Sequence, residues 1–178
     1  MINKIIKIVF VFILAIIISL SGCSNKSINN EGGLPEKLGD LNLRRVIQGD
    51  EAARVVHKLH GKSLGATDYL IGTYGADDSK NILYLSVYEN QEAAKADLMN
   101  MAMKMQKGSK VFKPLTTIGK MGDKISFKTE GMGLAHYFYR VENILLWWQV
   151  EPDKAELTYN ELLAFDFASL KKRVSPRK

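Results

Sequence analysis

The clearest pattern in the chain is a pair of aromatic and branched runs, Leu134 to Val141 and Ile144 to Val150, separated only by Glu142-Asn143. Two such runs joined by a short polar turn predict a β-hairpin. The turn sets a register in which Val141 pairs with Ile144, Tyr139 with Leu146, Tyr137 with Trp148 and Ala135 with Val150. Successive strand residues point to opposite faces, so these side chains share one face. It is wholly apolar or aromatic and is expected in the core. The other face pairs Arg140 with Leu145, Phe138 with Trp147 and His136 with Gln149. Phe138 and Trp147 offer stacking area there, and His136, Arg140 and Gln149 offer polar groups beside it. Pockets commonly combine these elements, so this is the candidate binding face. The competing reading is a helix that covers the face and leaves the polar groups at its edge.

The remaining pattern alternates strands and helices. Leu41 to Ile47 reads as a short strand. Asp50 to His60 reads as a helix with Asp50 as N-cap, Gly61 as stop and a stripe of Ala52, Val55, Val56 and Leu59. Tyr69–Tyr74 and Ile82–Tyr88 are strand-like runs flanking a loop of turn formers, Gly75 to Asn81. Asn90 is placed to cap a helix reaching Lys107 and stopping at Gly108, with Ala94, Leu98, Met101, Ala102 and Met105 inward. Val111 to Phe127, with Pro114 and Gly122-Asp123, predicts short strands, or a loop followed by one strand, and Gly131 and Gly133 mark another turn. Pro152 suits the first turn of a last helix carrying Tyr159, Leu163, Phe167 and Leu170.

These elements predict an α+β fold: a single antiparallel sheet with helices packed on it. A strand-strand-helix duplication is suggested by an offset of 62 that matches Asn81-Ile82-Leu83 with Asn143-Ile144-Leu145, Glu89 with Glu151 and Ala93 with Ala155. That match sets Leu83, Leu85 and Val87 against Leu145, Trp147 and Gln149. The first set looks like core, whereas the second lies on the candidate face. Either the repeat is accidental, or the sheet is covered on both sides.

The start of the chain follows another rule. Lys4 and Lys7 precede an unbroken apolar run from Ile8 to Ile18, followed by Leu20-Ser21-Gly22-Cys23. Basic start, apolar core and small-residue end are the layout of a secretory signal. The run is shorter than the roughly 20 residues that span a bilayer. Leu20, Ser21, Gly22 and Cys23 resemble the lipobox of bacterial lipoprotein precursors, a resemblance limited to residues 1–23. It implies a diacylglycerol on the Cys23 thiol, cleavage after Gly22 and acylation, typically with palmitate, of the new amino group. Two or three chains would anchor stably where one would not. In that family an aspartate after the cysteine retains the protein at the inner membrane of Gram-negative cells. Ser24 stands there, which implies the periplasmic face of the outer membrane in such a cell, or the outer leaflet of the plasma membrane in a Gram-positive one. The expected organisation is a signal peptide over 1–22, a lipidated N-terminus and flexible tether over 23–40, one α+β domain over 41–172 and a basic tail over 173–178.

Charge refines this picture. Residues 1–22 contain two lysines and no acid, so the remainder has 23 basic and 19 acidic side chains, a formal +4. Lys104, Lys107, Lys110, Lys113, Lys120, Lys124 and Lys128 face Asp123 alone between residues 104 and 128. Such a segment reads as solvated surface, or as a surface for anionic headgroups near the anchor. Export makes nucleic acid an implausible partner. Cys23 is the only cysteine, so the fold rests on packing without disulfides.

Catalytic chemistry finds no footing. Ser86 and Ser126 lie in predicted strands without an identifiable base, and Asp77-Asp78 is a loop tip. His57 and His60 neighbour each other on a helix, but a metal site needs further ligands. Met99, Met101, Met103 and Met105 alternate and suit flexible core filling better than soft-metal binding. No catalytic residue, cofactor or metal site is expected. The reading is a non-enzymatic, lipid-anchored binding or assembly module of the cell envelope that uses the hairpin face for a protein partner or a small amphipathic ligand. The alternatives are a carrier of such a ligand or of a metal, and an envelope enzyme of unrecognised type.

Overall fold

The alternating runs form strands in the computed structural model, which describes residues 30, 33–61, 64–121, 124–167 and 170. The strands are β1 (Lys37–Leu38), β2 (Leu41–Gln48), β3 (Asp68–Tyr74), β4 (Asn81–Val87), β5 (Thr116–Met121), β6 (Lys124–Gly131), β7 (Leu134–Val141) and β8 (Ile144–Val150). The helices are α1 (Gly49–His60), α2 (Gln91–Met105) and α3 (Ala155–Ala164). All strands join one antiparallel sheet in the order β1-β2-β3-β4-β8-β7-β6-β5. Two meanders therefore meet at β4 and β8, and the fold is α+β with a single antiparallel sheet. Among the described residues no helix is long and apolar enough to cross a membrane. The lipobox with Cys23, and the basic tail over 173–178, lie outside the described residues.

The β7–β8 hairpin has the register that its turn predicts, Val141 to Ile144 through Ala135 to Val150. Asn143 ties its tip to the end of β4: its amide donates to the Tyr88 carbonyl (2.6 Å), and its own carbonyl accepts from the Tyr88 amide (2.9 Å). This clamp aligns β8 with β4, pairing Leu85 with Leu146 and Leu83 with Trp148.

One face of the sheet packs against α3. Leu83, Leu85, Val87, Tyr137, Tyr139, Leu146 and Trp148 meet Tyr159 and Leu162 of α3 in the larger core. Tyr137 stacks on Tyr159 at 4.4 Å between ring centres, and the Trp148 indole donates to Thr158 Oγ1 at 2.9 Å. The Tyr139 hydroxyl, buried in this core, has no hydrogen-bond partner among the described residues. An unpaired buried hydroxyl costs about 1–3 kcal/mol, and the packing of its ring offsets that cost. The inward residues of α3 are Tyr159 and Leu162, not the expected Leu163, which is exposed. Phe167 and Leu170 are buried but lie beyond the helix, which ends where Phe165 turns extended.

The domain begins earlier than its expected boundary at residue 41. Leu34 and Leu38 are buried in the same core, and β1 pairs with β2. The Tyr74 hydroxyl donates to the Pro35 carbonyl at 3.0 Å. The residues from Leu34 to Asp40, assigned to the tether on composition, are thus docked by two leucines.

The opposite face carries α1 and α2. Ala52 and Val56 of α1 pack on Tyr69 and Ile71, and Ala94, Leu98 and Ala102 of α2 pack on Phe127, Phe138 and Leu145. Asn90 caps α2 as expected, accepting from the Ala93 amide at 2.9 Å. Asp50 does not cap α1; it lies in the first turn beside Glu51, where an acidic side chain complements the helix dipole. Gly61 ends α1 in the left-handed conformation, φ 66°.

Both faces of the sheet are therefore covered, which resolves the conflict posed by the offset of 62. Leu83, Leu85 and Val87 lie on the α3 face, and Leu145 and Trp147 lie on the other. Because β4 and β8 are antiparallel neighbours while α2 and α3 sit on opposite faces, the two strand-strand-helix units have opposite hands. No rotation superposes them, so the sequence match does not correspond to a repeated structural unit.

Candidate functional site

Helix α1 lies over β2 and β3, and α2 over β7 and β8. With strands about 4.8 Å apart, the two helices sit roughly 14 Å from one another, whereas packed helices approach to 8–10 Å. A slot remains over β4 and β8. It forms a cavity of about 510 Å³, within the range of small-molecule sites.

The floor is aromatic. Tyr84 of β4, Trp147 of β8 and Phe138 of β7 are cross-strand neighbours. The Trp147 ring lies 4.9 Å from that of Tyr84 and 5.4 Å from that of Phe138. Ser86 and Leu145 complete the floor. Val56, Leu59 and His60 of α1 form one wall, and Asp97, Asn100, Met101, Lys104 and Met105 of α2 form the other. Leu59, expected in the buried stripe of α1, is 53% exposed and lines this wall.

His136, on the same face of β7 as Phe138, holds this floor in place from the side. It is completely buried. Its Nδ1 accepts from the Trp147 indole N–H at 3.1 Å, and its Nε2 lies 3.1 Å from the Gly131 carbonyl. An indole N–H can only donate, so Nδ1 must be unprotonated and Nε2 carries the proton. Burial drives the His136 pKa below its ordinary value, against a smaller raising effect of the Gly131 carbonyl. Phe112 packs edge-on against the same imidazole at 5.1 Å and bridges to Gly131 through the backbone. A β-carbon on Gly131 would overlap the Phe112 ring, so glycine is required for this seat. Gly131 is more than the turn marker that the sequence suggested.

Charge is confined to the rim. Asp97 accepts from the Tyr88 hydroxyl. Burial first, and Asp97 second, push the Tyr88 phenol far above its usual pKa, and burial also raises Tyr84. Both phenols stay neutral at ordinary pH. Lys104 stands exposed at the mouth.

The predicted face divides into three. Phe138, Leu145 and Trp147 line the cavity, and His136 supports it. Arg140 and Gln149 do not line it. Arg140 donates to the Glu142 carbonyl at 2.6 Å and Gln149 to the Lys80 carbonyl at 2.9 Å, so each braces an end of the hairpin. His57 and His60 do not act as a pair: His57 Nε2 lies 3.0 Å from the Tyr69 hydroxyl, while His60 packs edge-on to Trp147 at 6.3 Å. Met101 and Met105 are half-buried cavity walls, and Met99 and Met103 are exposed elsewhere. Among the described residues no three His, Cys, Asp or Glu side chains converge as a metal site.

Tyr84, Lys104 and Phe112 carried no signal of this role. Tyr84 reaches Trp147 only through pairing between strands some sixty residues apart, and Phe112 lies in a loop. No protein-family model, curated protein or solved structure matches the chain.

Proposed function

We propose that the protein is a non-enzymatic binding module of the cell envelope, anchored through lipid on Cys23, that holds a small amphipathic ligand between α1 and α2. The observation that carries this reading is the aromatic-floored cavity of about 510 Å³, which combines a largely apolar floor with charged groups at its rim. Three adjacent rings supply stacking area, each aromatic contact contributing about 0.5–1.5 kcal/mol beyond its area. Methionines on the α2 wall adapt to ligand shape because their chains are unbranched and flexible. The lipobox supports the location: cargo that partitions into membranes is met where the module is tethered.

The cavity is tested by purifying the lipidated protein from its own envelope and identifying bound small molecules by mass spectrometry. The wild type is expected to retain a near-stoichiometric amphiphile. Met101→Trp, which fills the cavity from a half-buried wall, should lose it while keeping the circular dichroism spectrum. Identical small-molecule profiles from both folded proteins would overturn the reading. The anchor has a separate test. Cys23→Ala is expected to accumulate as unprocessed precursor, and normal cleavage of that variant would remove lipid anchoring from the proposal.

A further inference from the structure

The cavity has a basic neighbour. A second concavity of about 600 Å³ lies along the segment that follows α2 and along the β6–β7 turn, lined by Lys107, Ser109, Lys110 and Lys113. Phe112 lines both spaces. Its half-buried ring is thus the partition between an apolar chamber and a cationic groove. Lys113 is engaged by Glu130 at 2.7 Å. Lys104, Lys107 and Lys110 form no ion pair among the described residues. Lys104 stands on the chamber side of Phe112, and the other two on the groove side. Among the described residues, the only carboxylates lining the two spaces are Asp97, bonded to Tyr88, and Glu130, paired with Lys113.

We propose that the ligand is a single-chain amphiphile with an anionic head, its chain in the chamber over Trp147 and its head over Lys104, Lys107 and Lys110, with Phe112 at the junction. The proposal rests on the reading of the cavity as a ligand site and adds the ligand's class and orientation. Two features of the structure favour it over a neutral apolar ligand. Three lysines without an ion pair among the described residues line the chamber and the groove that adjoins it at Phe112. The floor, Tyr84, Ser86, Phe138, Leu145 and Trp147, carries no ionised group to compete for the head. A carboxylate or phosphate head would stay near solvent, where it keeps part of its hydration, while the chain leaves water.

The test uses the full lipidated chain in nanodiscs of neutral lipid. Two diazirine probes of equal chain length are compared, a fatty acid and the matching fatty alcohol, with labelling of the protein normalised to labelling of the disc lipid. The acid is expected to label the Met101–Phe112 stretch about tenfold more than the alcohol at low salt. Each exposed charge pair is worth only a small factor in affinity, and three together give about one order of magnitude. Combining Lys104→Gln, Lys107→Gln and Lys110→Gln should bring labelling by the acid down to that by the alcohol; these exposed positions do not hold the core. Raising the salt should weaken the acid alone. Equal labelling by acid and alcohol would overturn the anionic head while leaving the cavity reading in place. Absence of cavity labelling by either probe, in protein with native circular dichroism, would overturn both.

Discussion

Trp148→Ala is expected to remove about 3–5 kcal/mol of stability, the range for deleting a large buried aromatic side chain. Trp148 is completely buried at the centre of the α3 face. It meets Tyr74 edge-on at 5.5 Å and donates to Thr158 at 2.9 Å. Tyr74 in turn holds the Pro35 carbonyl. One indole therefore joins the central strand, α3 and the N-terminal segment. Against a typical domain stability of about 5–15 kcal/mol, the loss is large. Urea titration followed by circular dichroism should show a midpoint lowered by about 2 M for a slope near 2 kcal/mol per M. A midpoint shift below about 0.5 M would contradict this account of the α3 core. The neighbouring Trp147 has a different part. It points to the opposite face, is only half-buried and borders the cavity, so its truncation leaves the α3 core intact.

Acid is expected to destabilise the protein through His136 at a pH where carboxylates do not yet titrate. His136 is neutral in the folded state and its pKa is lowered by burial, whereas in the unfolded chain it returns to about 6.5. Below that value the unfolded chain binds more protons than the folded one, so stability falls as pH falls. The stabilisation is fully present above about pH 6.5 and is lost between that value and the lowered folded pKa, at up to about 1.4 kcal/mol per pH unit. Protonating Nδ1 also removes the acceptor of the Trp147 N–H, so acid should loosen the cavity floor. His136→Gln keeps a neutral acceptor at this position. In urea titrations from pH 7.5 to 5.0, the wild type should lose stability and the Gln variant should lose less by about that slope. Equal slopes would remove His136 from this role. The exposed pairs Lys154–Asp40 and Lys113–Glu130 lower the pKa of Asp40 and Glu130, and their contribution disappears only at lower pH.

The hairpin was readable in full because its register depends on two adjacent turn residues and a period of two. The first two helices were readable to within a turn, whereas the expected last helix ran past the end of α3 at Ala164. Errors arose where local pattern competes with tertiary docking: Leu163 fits a stripe that α3 does not bury, and Leu34 sits in a polar stretch yet fills the core. The candidate face was read from alternation alone, and Phe138, Leu145 and Trp147 do share it. Arg140 and Gln149 bond backbone carbonyls and do not line the cavity, which was not legible because a polar side chain next to aromatics looks the same in sequence whether it meets a ligand or a backbone carbonyl.

By itself, the sequence determined the elements, the hairpin faces, the α+β class and a resemblance at its start that bears on location. These depend on local periodicity and composition, which a chain carries whatever its partners. Tertiary structure alone decided that β4 pairs with β8, that α2 and α3 take opposite faces, and that α1 and α2 stand too far apart to touch. The cavity is a consequence of those three non-local facts. Its volume is set by a distance between helices, and no residue spacing along the chain encodes that distance.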